Sequence, residues 1–215
     1  EGSNPLQLLR GIMANLVTLQ QYKDFAGITG VNQDAKLNVI IPSVSQAVKT
    51  YCGTSFVDYY GTDKTEYFDI TDDSTTAVMV DESPLVSVSS VQERESQDDD
   101  YTTLITENSD SSGKYEYIVE LEKDLIRRTT ASADKAFPKG RRAVKVVYRA
   151  GYSATPQDLR LACFDMIKYY LKDERKSSMS IAGAQLRNEV STSLRDNIDF
   201  PDHIKRILDF YKVYK

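Results

Sequence analysis

Apolar side chains recur along the first quarter of the chain at intervals of three and four, the spacing that places them on one face of an α-helix. Leu19, Tyr22, Phe25 and Ala26 form the first such face, directly after Thr18 and with Gln21 three positions beyond that threonine. Thr18 and Gln21 predict a capping box, in which each side chain satisfies the other residue's backbone N–H, and Gly27 is the expected stop. A longer stripe of Leu37, Ile40, Ile41, Val44, Val48 and Tyr51 predicts a second helix from Asn32 to Gly53. Pro42 lies inside it and removes an amide donor. The expectation is a kinked core helix, with a helix that restarts at Pro42 as the alternative.

From residue 56 to residue 152 the pattern changes to short runs rich in valine, threonine and tyrosine, separated by polar clusters, which predicts strands. The runs are residues 65–70, 76–80, 86–95, 102–106, 115–121 and 143–148, with a turn at Asp110-Ser111-Ser112-Gly113. Helix returns at Thr155-Pro156-Gln157-Asp158, where threonine is the expected cap, proline the first helical residue and the aspartate a charge suited to the positive end of the dipole. Leu159, Cys163, Met166, Ile167, Tyr170 and Leu171 make its stripe, and the charged residues 172–176 mark where burial stops. Residues 177–199 are serine-rich and poorly periodic, and read as a long mobile loop or a segment ordered by a partner. A last helix from Pro201 presents Ile204, Ile207, Leu208 and Tyr211 on one side, with Lys212 and Lys215 at its negative end.

The expected architecture is α+β: a helical bundle core of about four helices, with a β-rich insertion between helices 2 and 3. Residues 16–55 and 153–215 supply the helical core and 56–152 the insertion. Residues 1–15 read as a leader or flexible extension, because Met13-Ala14-Asn15 has the look of a start.

Composition narrows the function. The 215 residues carry a net charge of −5 with both signs mixed along the chain, so no basic footprint marks a surface for gripping phosphates. No apolar run approaches the roughly 20 residues that span a bilayer. Cys52 and Cys163 each stand beside apolar helical positions and are expected as buried thiols rather than a disulfide, which fits a reducing compartment.

Candidate chemistry is sparse. His203 is the only histidine and has no serine or cysteine nucleophile in a recognisable elbow near it. Asp72-Asp73 and Asp98-Asp99-Asp100 lack the spaced acids and central glycine of a calcium loop and read as solvated turns, the alternative being an adventitious ion. The glycines form no phosphate cradle, so no cofactor is expected. Arg127-Arg128 and Arg141-Arg142 are expected at solvated strand ends, with contact to DNA or an acidic neighbour as the alternative. Tyr59-Tyr60, Tyr169-Tyr170, Tyr211 and Tyr214 are candidate interface residues among 14 tyrosines.

Three stretches carry a family resemblance. The first is Leu16-Val17-Thr18-Leu19-Gln20-Gln21-Tyr22-Lys23 with the helix through Ile40-Ile41-Pro42-Ser43-Val44 to Tyr51-Cys52-Gly53. The second is Val144-Lys145-Val146-Val147-Tyr148-Arg149-Ala150-Gly151-Tyr152 leading through Pro156, and the third is Phe200-Pro201-Asp202-His203-Ile204-Lys205-Arg206-Ile207-Leu208-Asp209-Phe210-Tyr211. In this order and spacing they resemble the head-tail connector, or adaptor, proteins of tailed bacteriophages. The resemblance implies a structural virion protein of the neck, not an enzyme. It implies a homo-oligomeric ring, commonly a dodecamer, that docks on the portal protein and is continued by a tail or stopper protein. Double-stranded DNA would pass through its bore without sequence-specific binding. The portal-facing residues would be Ile204, Leu208 and Tyr211, with the loop over 177–199. Another neck or tail-completion (stopper) protein is the alternative, and a hydrolase or nuclease with an unfamiliar site the more distant one.

Overall fold

The computed structural model describes residues 14–106, 115–130, 133–171, 179–181, 184–186 and 200–213. In chain order its elements are α1 (Leu19–Ala26), α2 (Asp34–Cys52), β1 (Lys64–Ile70), β2 (Ala77–Met79), β3 (Leu85–Glu93), β4 (Thr102–Thr103), β5 (Tyr117–Glu120), β6 (Leu125–Arg128), β7 (Gly140–Ala150), α3 (Gln157–Leu171), β8 (Met179–Ile181), β9 (Ala184–Leu186) and α4 (Asp202–Asp209). The fold is mixed α+β, in two compact units: Glu1–Thr54 with Ala154–Lys215, and Ser55–Ser153. The turn expected at residues 110–113, the polar helix end at 172–176, most of 177–199, the leader up to residue 13, Tyr214 and Lys215 lie outside the described residues.

In the first unit the capping box forms as expected. Thr18 Oγ1 accepts from Gln21 N at 3.2 Å and Gln21 Oε1 accepts from Thr18 N at 2.9 Å, while Gly27 closes the helix at φ 67°. The first face is only half realised, because Phe25 is exposed and stacks on Phe164 at 4.7 Å while Tyr22 is buried. Helix α2 runs through Pro42 as one 19-residue element, so the restart does not occur. Proline deprives only the Asn38 carbonyl of its donor, and both residues are exposed, where water can replace that bond. Leu37, Ile41, Val44, Val48 and Cys52 form the buried side of α2, which packs against α1, α3 and α4. Leu159, Ala162, Cys163, Met166 and Ile167 are their counterparts on α3. Burial of each large aliphatic side chain stabilises the unit by about 1.5–3 kcal/mol.

Thr155 does not cap α3 with its hydroxyl as expected. Its Oγ1 donates to Leu16 O at 2.6 Å, tying the segment before α1 to the start of α3, while Arg160 N takes the Pro156 carbonyl. Lys49 Nζ donates to Ala14 O and Leu16 N to Ser45 Oγ, so α2 holds the same segment. Both cysteines are free and buried; burial pushes each thiol up to about 12, and Cys52 Sγ points at Leu208 O at 3.6 Å. Within residues 177–199, expected as a loop, the backbone forms an antiparallel hairpin pairing Met179 with Leu186. Three-residue strands are too short to produce a periodic signal inside a serine-rich stretch.

The second unit holds an antiparallel sheet in the order β1-β7-β3-β4 and a smaller one in the order β2-β6-β5. Val91, Val144, Val146, Tyr148 and Ala150 from the first sheet meet Val78, Tyr117 and Ile126 from the second in one core, with Phe137 beside them. Strand β6 was not expected from sequence, and Arg128 on it corrects the reading of Arg127-Arg128 as a solvated strand end. Arg128 is 2% exposed. Its guanidinium grips Glu93 with two bonds, Nε to Oε2 at 3.0 Å and Nη2 to Oε1 at 2.9 Å, and Nη1 donates to the carbonyls of Glu116 and Thr129. A paired, fully bonded arginine can replace an apolar residue at an inward strand position.

A second polar group lies in the same unit. Tyr148 is completely buried; its hydroxyl donates to Glu66 Oε2 at 2.5 Å and accepts from Glu82 N at 3.3 Å. Glu66 is held above its ordinary value of 4.5, chiefly by burial, against the lowering influence of that bond. The folded state therefore binds a proton at Glu66 more tightly than the unfolded chain. Its contribution to stability is full below pH 4.5 and is lost as pH rises through the higher folded value. Glu66→Gln keeps the acceptor and cannot ionise. Urea unfolding across pH should show the variant losing less stability than the wild type as pH rises above 4.5; parallel curves would show that Glu66 is not the group responsible.

Candidate functional site

The outer surface of each unit carries side chains that face solvent in a form suited to a partner. Helix α4 is strongly amphipathic. Pro201 precedes its first residue, and it ends at Asp209, before Tyr211 and Lys212, which were expected inside it. Of the three candidate contact residues, Ile204 is 1% exposed and Leu208 is buried completely, both packed within the first unit. Tyr211 is half-buried, its hydroxyl donating to Asp158 Oδ1 at 2.7 Å. Tyr51 donates to Asp209 Oδ1 and Val213 N to Cys52 O, so the end of the chain is fastened to α2 and α3. These residues seat the helix.

Its outward side carries His203 and Arg206, and Phe210, the residue directly after its last turn, is 87% exposed. A phenylalanine held in water four residues after an exposed arginine has the composition of an interface anchor. Sequence reasoning passed over it because Phe210 lies off the apolar stripe. The signal was present all the same: a large aromatic off the apolar stripe, directly at the end of an amphipathic helix.

A second surface of this unit is an open, mostly apolar groove of about 560 Å³ between α2 and the end of α3, lined by Lys36, Val39, Ile40, Ser43, Val44, Ala47 and Tyr170. In the second unit, Tyr67, Tyr101, Arg94, Arg142 and Lys145 gather at one end of the larger sheet. There Arg142 lies 3.8 Å over the Tyr67 ring and Arg94 4.8 Å over Tyr101. Arg141 and Arg142 are exposed as expected, but Arg142 rests on a tyrosine rather than in open solvent.

The residues examined for chemistry stay apart. His203 is exposed at the start of α4. Asp72 Oδ1 accepts from Ser74 N and Ser74 Oγ, an ordinary turn, and the Ser74 amide holds its carboxyl below the usual range. Asp98, Asp99 and Asp100 are exposed. Among the described residues no three His, Cys, Asp or Glu side chains converge as a metal site would require, and no helix is long and apolar enough to cross a membrane.

No curated protein matches the chain in sequence. Solved structures do match its fold. The neck of an empty gene transfer agent particle, computed with C6 symmetry, contains a chain with TM-score 0.55 and 12% identity, covering 93% of this chain and 91% of that one. The neck of the native particle, computed with C12 symmetry, gives TM-score 0.52 and 10% identity over 95% and 97%. A chain of the native gene transfer agent virion gives TM-score 0.55 and 13% identity over 95% and 94%. The model of the head completion protein family matches residues 15–214. The surfaces described above thus belong to a structural protein of the junction between head and tail in a phage-like virion, and the chain is a member of the head completion protein family.

Proposed function

We propose that the chain is a head-tail adaptor that assembles into a closed ring, docks on the portal protein, extends the channel through which the genome passes and presents its far side to a tail or stopper protein. In this reading residues 16–55 and 153–215 are the connector core and residues 56–152 an insertion that serves the particle's own tail. The observation that carries it is the family match over residues 15–214, together with a shared fold in necks computed with sixfold and twelvefold symmetry. Twelve copies is the expected number, in keeping with the neck computed with C12 symmetry. A closed ring needs two different surfaces on each subunit. The net charge of −5 suits a channel wall that lets a duplex slide instead of holding it through counterion release.

Portal docking is assigned to the outward side of α4, with Ile204, Leu208 and Tyr211 holding that helix in place. Deleting residues 201–215 would strip two core side chains, so a point change is the cleaner test. Phe210→Asp should weaken binding to purified portal by at least about tenfold and leave thermal stability unchanged, as measured by native mass spectrometry and calorimetry. Wild-type protein that remains monomeric beside portals would sink the adaptor reading. A Phe210→Asp protein that docks normally would sink only the assignment to α4.

A further inference from the structure

The cluster at the end of the larger sheet is built from four separate segments. Tyr67 comes from β1, Arg94 from just past β3, Tyr101 from just before β4, and Arg141, Arg142 and Lys145 from β7. Tyr67 pairs with Lys145, Lys145 with Gln92 and Gln92 with Thr103, so one row crosses all four strands of the sheet. The two rings lie 6.2 Å apart, with Lys145 Nζ 5.7 Å from the centre of Tyr101. Arg94 spends its N–H groups on the carbonyls of Gln97, Arg141 and Arg142. That fixes the chain carrying the other two arginines. Arg142 itself has φ 49°, a left-handed conformation costly for a residue with a side chain. It is held there by its N–H to Asp69 Oδ1 and by its carbonyl, which accepts from Arg94 and from the Tyr101 hydroxyl.

The manner of support decides what the surface can do. Cations in this unit such as Lys64, Arg127, Arg128, Lys139 and Arg149 are met by carboxylates. Arg141, Arg142 and Lys145 enter no ion pair among the described residues. A cation steadied by a ring keeps its whole charge available, and its side chain is ordered before any ligand arrives. Tyrosine and arginine are also the side chains that dominate the energy of protein interfaces.

We infer that this end of the sheet is a docking surface for an acidic segment of a partner protein, with Arg142 on Tyr67 at its centre and Arg141 and Lys145 beside it. Charge complementarity favours carboxylates from a folded partner over DNA. Each ring already has a cation over one face, which leaves less of it for stacking on bases, and exposed Asp98, Asp99 and Asp100 follow Arg94 closely, where they would repel the evenly spaced phosphates of a duplex. A compact acidic segment can meet the cations and avoid that run.

The surface lies in a different unit from Phe210, so it can fail without touching the portal assignment, and the reverse. Titrating the full-length protein with poly-L-glutamate should show binding that weakens as salt rises. The double variant Arg142→Glu with Lys145→Glu should lose at least about tenfold in affinity, Arg142→Gln a smaller factor, and Lys168→Glu on α3 none, with far-UV circular dichroism unchanged throughout. A short DNA duplex should bind more weakly than the polypeptide. Equal binding by the double variant, no binding by the wild type, or tighter binding of the duplex would each overturn the proposal.

Discussion

Gly151→Ala is expected to destabilise the β-rich unit by about 4 kcal/mol, the sum of a strained backbone and a steric overlap. Gly151 has φ 100°, and a Cβ placed there would stand 2.2 Å from Phe56 O and 2.9 Å from Phe56 C. Neither backbone is free to retreat. Gly151 N donates to Pro84 O at 2.8 Å and Tyr152 N to Phe56 O at 2.7 Å, while Phe56 is itself in the left-handed region at φ 64° and buried. A useful comparison is Gly27→Ala, which also has positive φ but nothing within 4 Å of the added carbon. That change should cost only about 1 kcal/mol. Urea unfolding of the two variants separates clash from conformation. Equal costs would mean that the approach of Phe56 to Gly151 contributes nothing.

Arg128→Ala is expected to cost about 3–5 kcal/mol, because it leaves the carboxylate of Glu93 unpaired at a nearly buried site. It also removes one hydrogen bond from each of the carbonyls of Glu116 and Thr129, the first of which keeps the Thr129 N–H. The expected loss is therefore a penalty on the groups left behind more than a measure of what the pair contributes. A double variant distinguishes these. Arg128→Met with Glu93→Leu removes both charges and should recover a large part of the stability lost in Arg128→Ala. If the double variant is no more stable than the single one, packing of the arginine stem and its carbonyl bonds, rather than the stranded charge, accounts for the loss.

The same arginine shows where the sequence stopped being readable. Leu125-Ile126-Arg127-Arg128 forms β6, with Ile126 and Arg128 facing inward. An alternating pattern whose second inward position is an arginine reads as polar, and only knowledge that Glu93, 35 residues away, would meet it could have revealed a strand. Local signals fared better. The box of Thr18 and Gln21, the stripe from Leu37 to Val48 and the proline before α3 are each decided within a few residues, and the helices lie where those signals put them. Strands β1, β3 and β7 fall on the expected runs, because runs of β-branched and aromatic residues keep their preference in isolation. The surfaces are harder for the opposite reason. A stripe identifies what a helix buries, so reading α4 by its stripe selects Ile204 and Leu208, the residues least available to a partner. Phe210 and the cations on tyrosines emerge only when the inward side is known.

One consequence concerns the two sulfur atoms. Cys52 and Cys163 both belong to the helical unit, on α2 and α3, and the described residues of the β-rich unit contain no cysteine. Enclosed and pushed up to about 12, neither thiol offers a thiolate to oxidants or alkylating reagents while its unit stays closed. Their modification therefore keeps time for the opening of one unit alone. The protein carries an internal clock that runs only when α2 and α3 come apart and stands still when the sheets do.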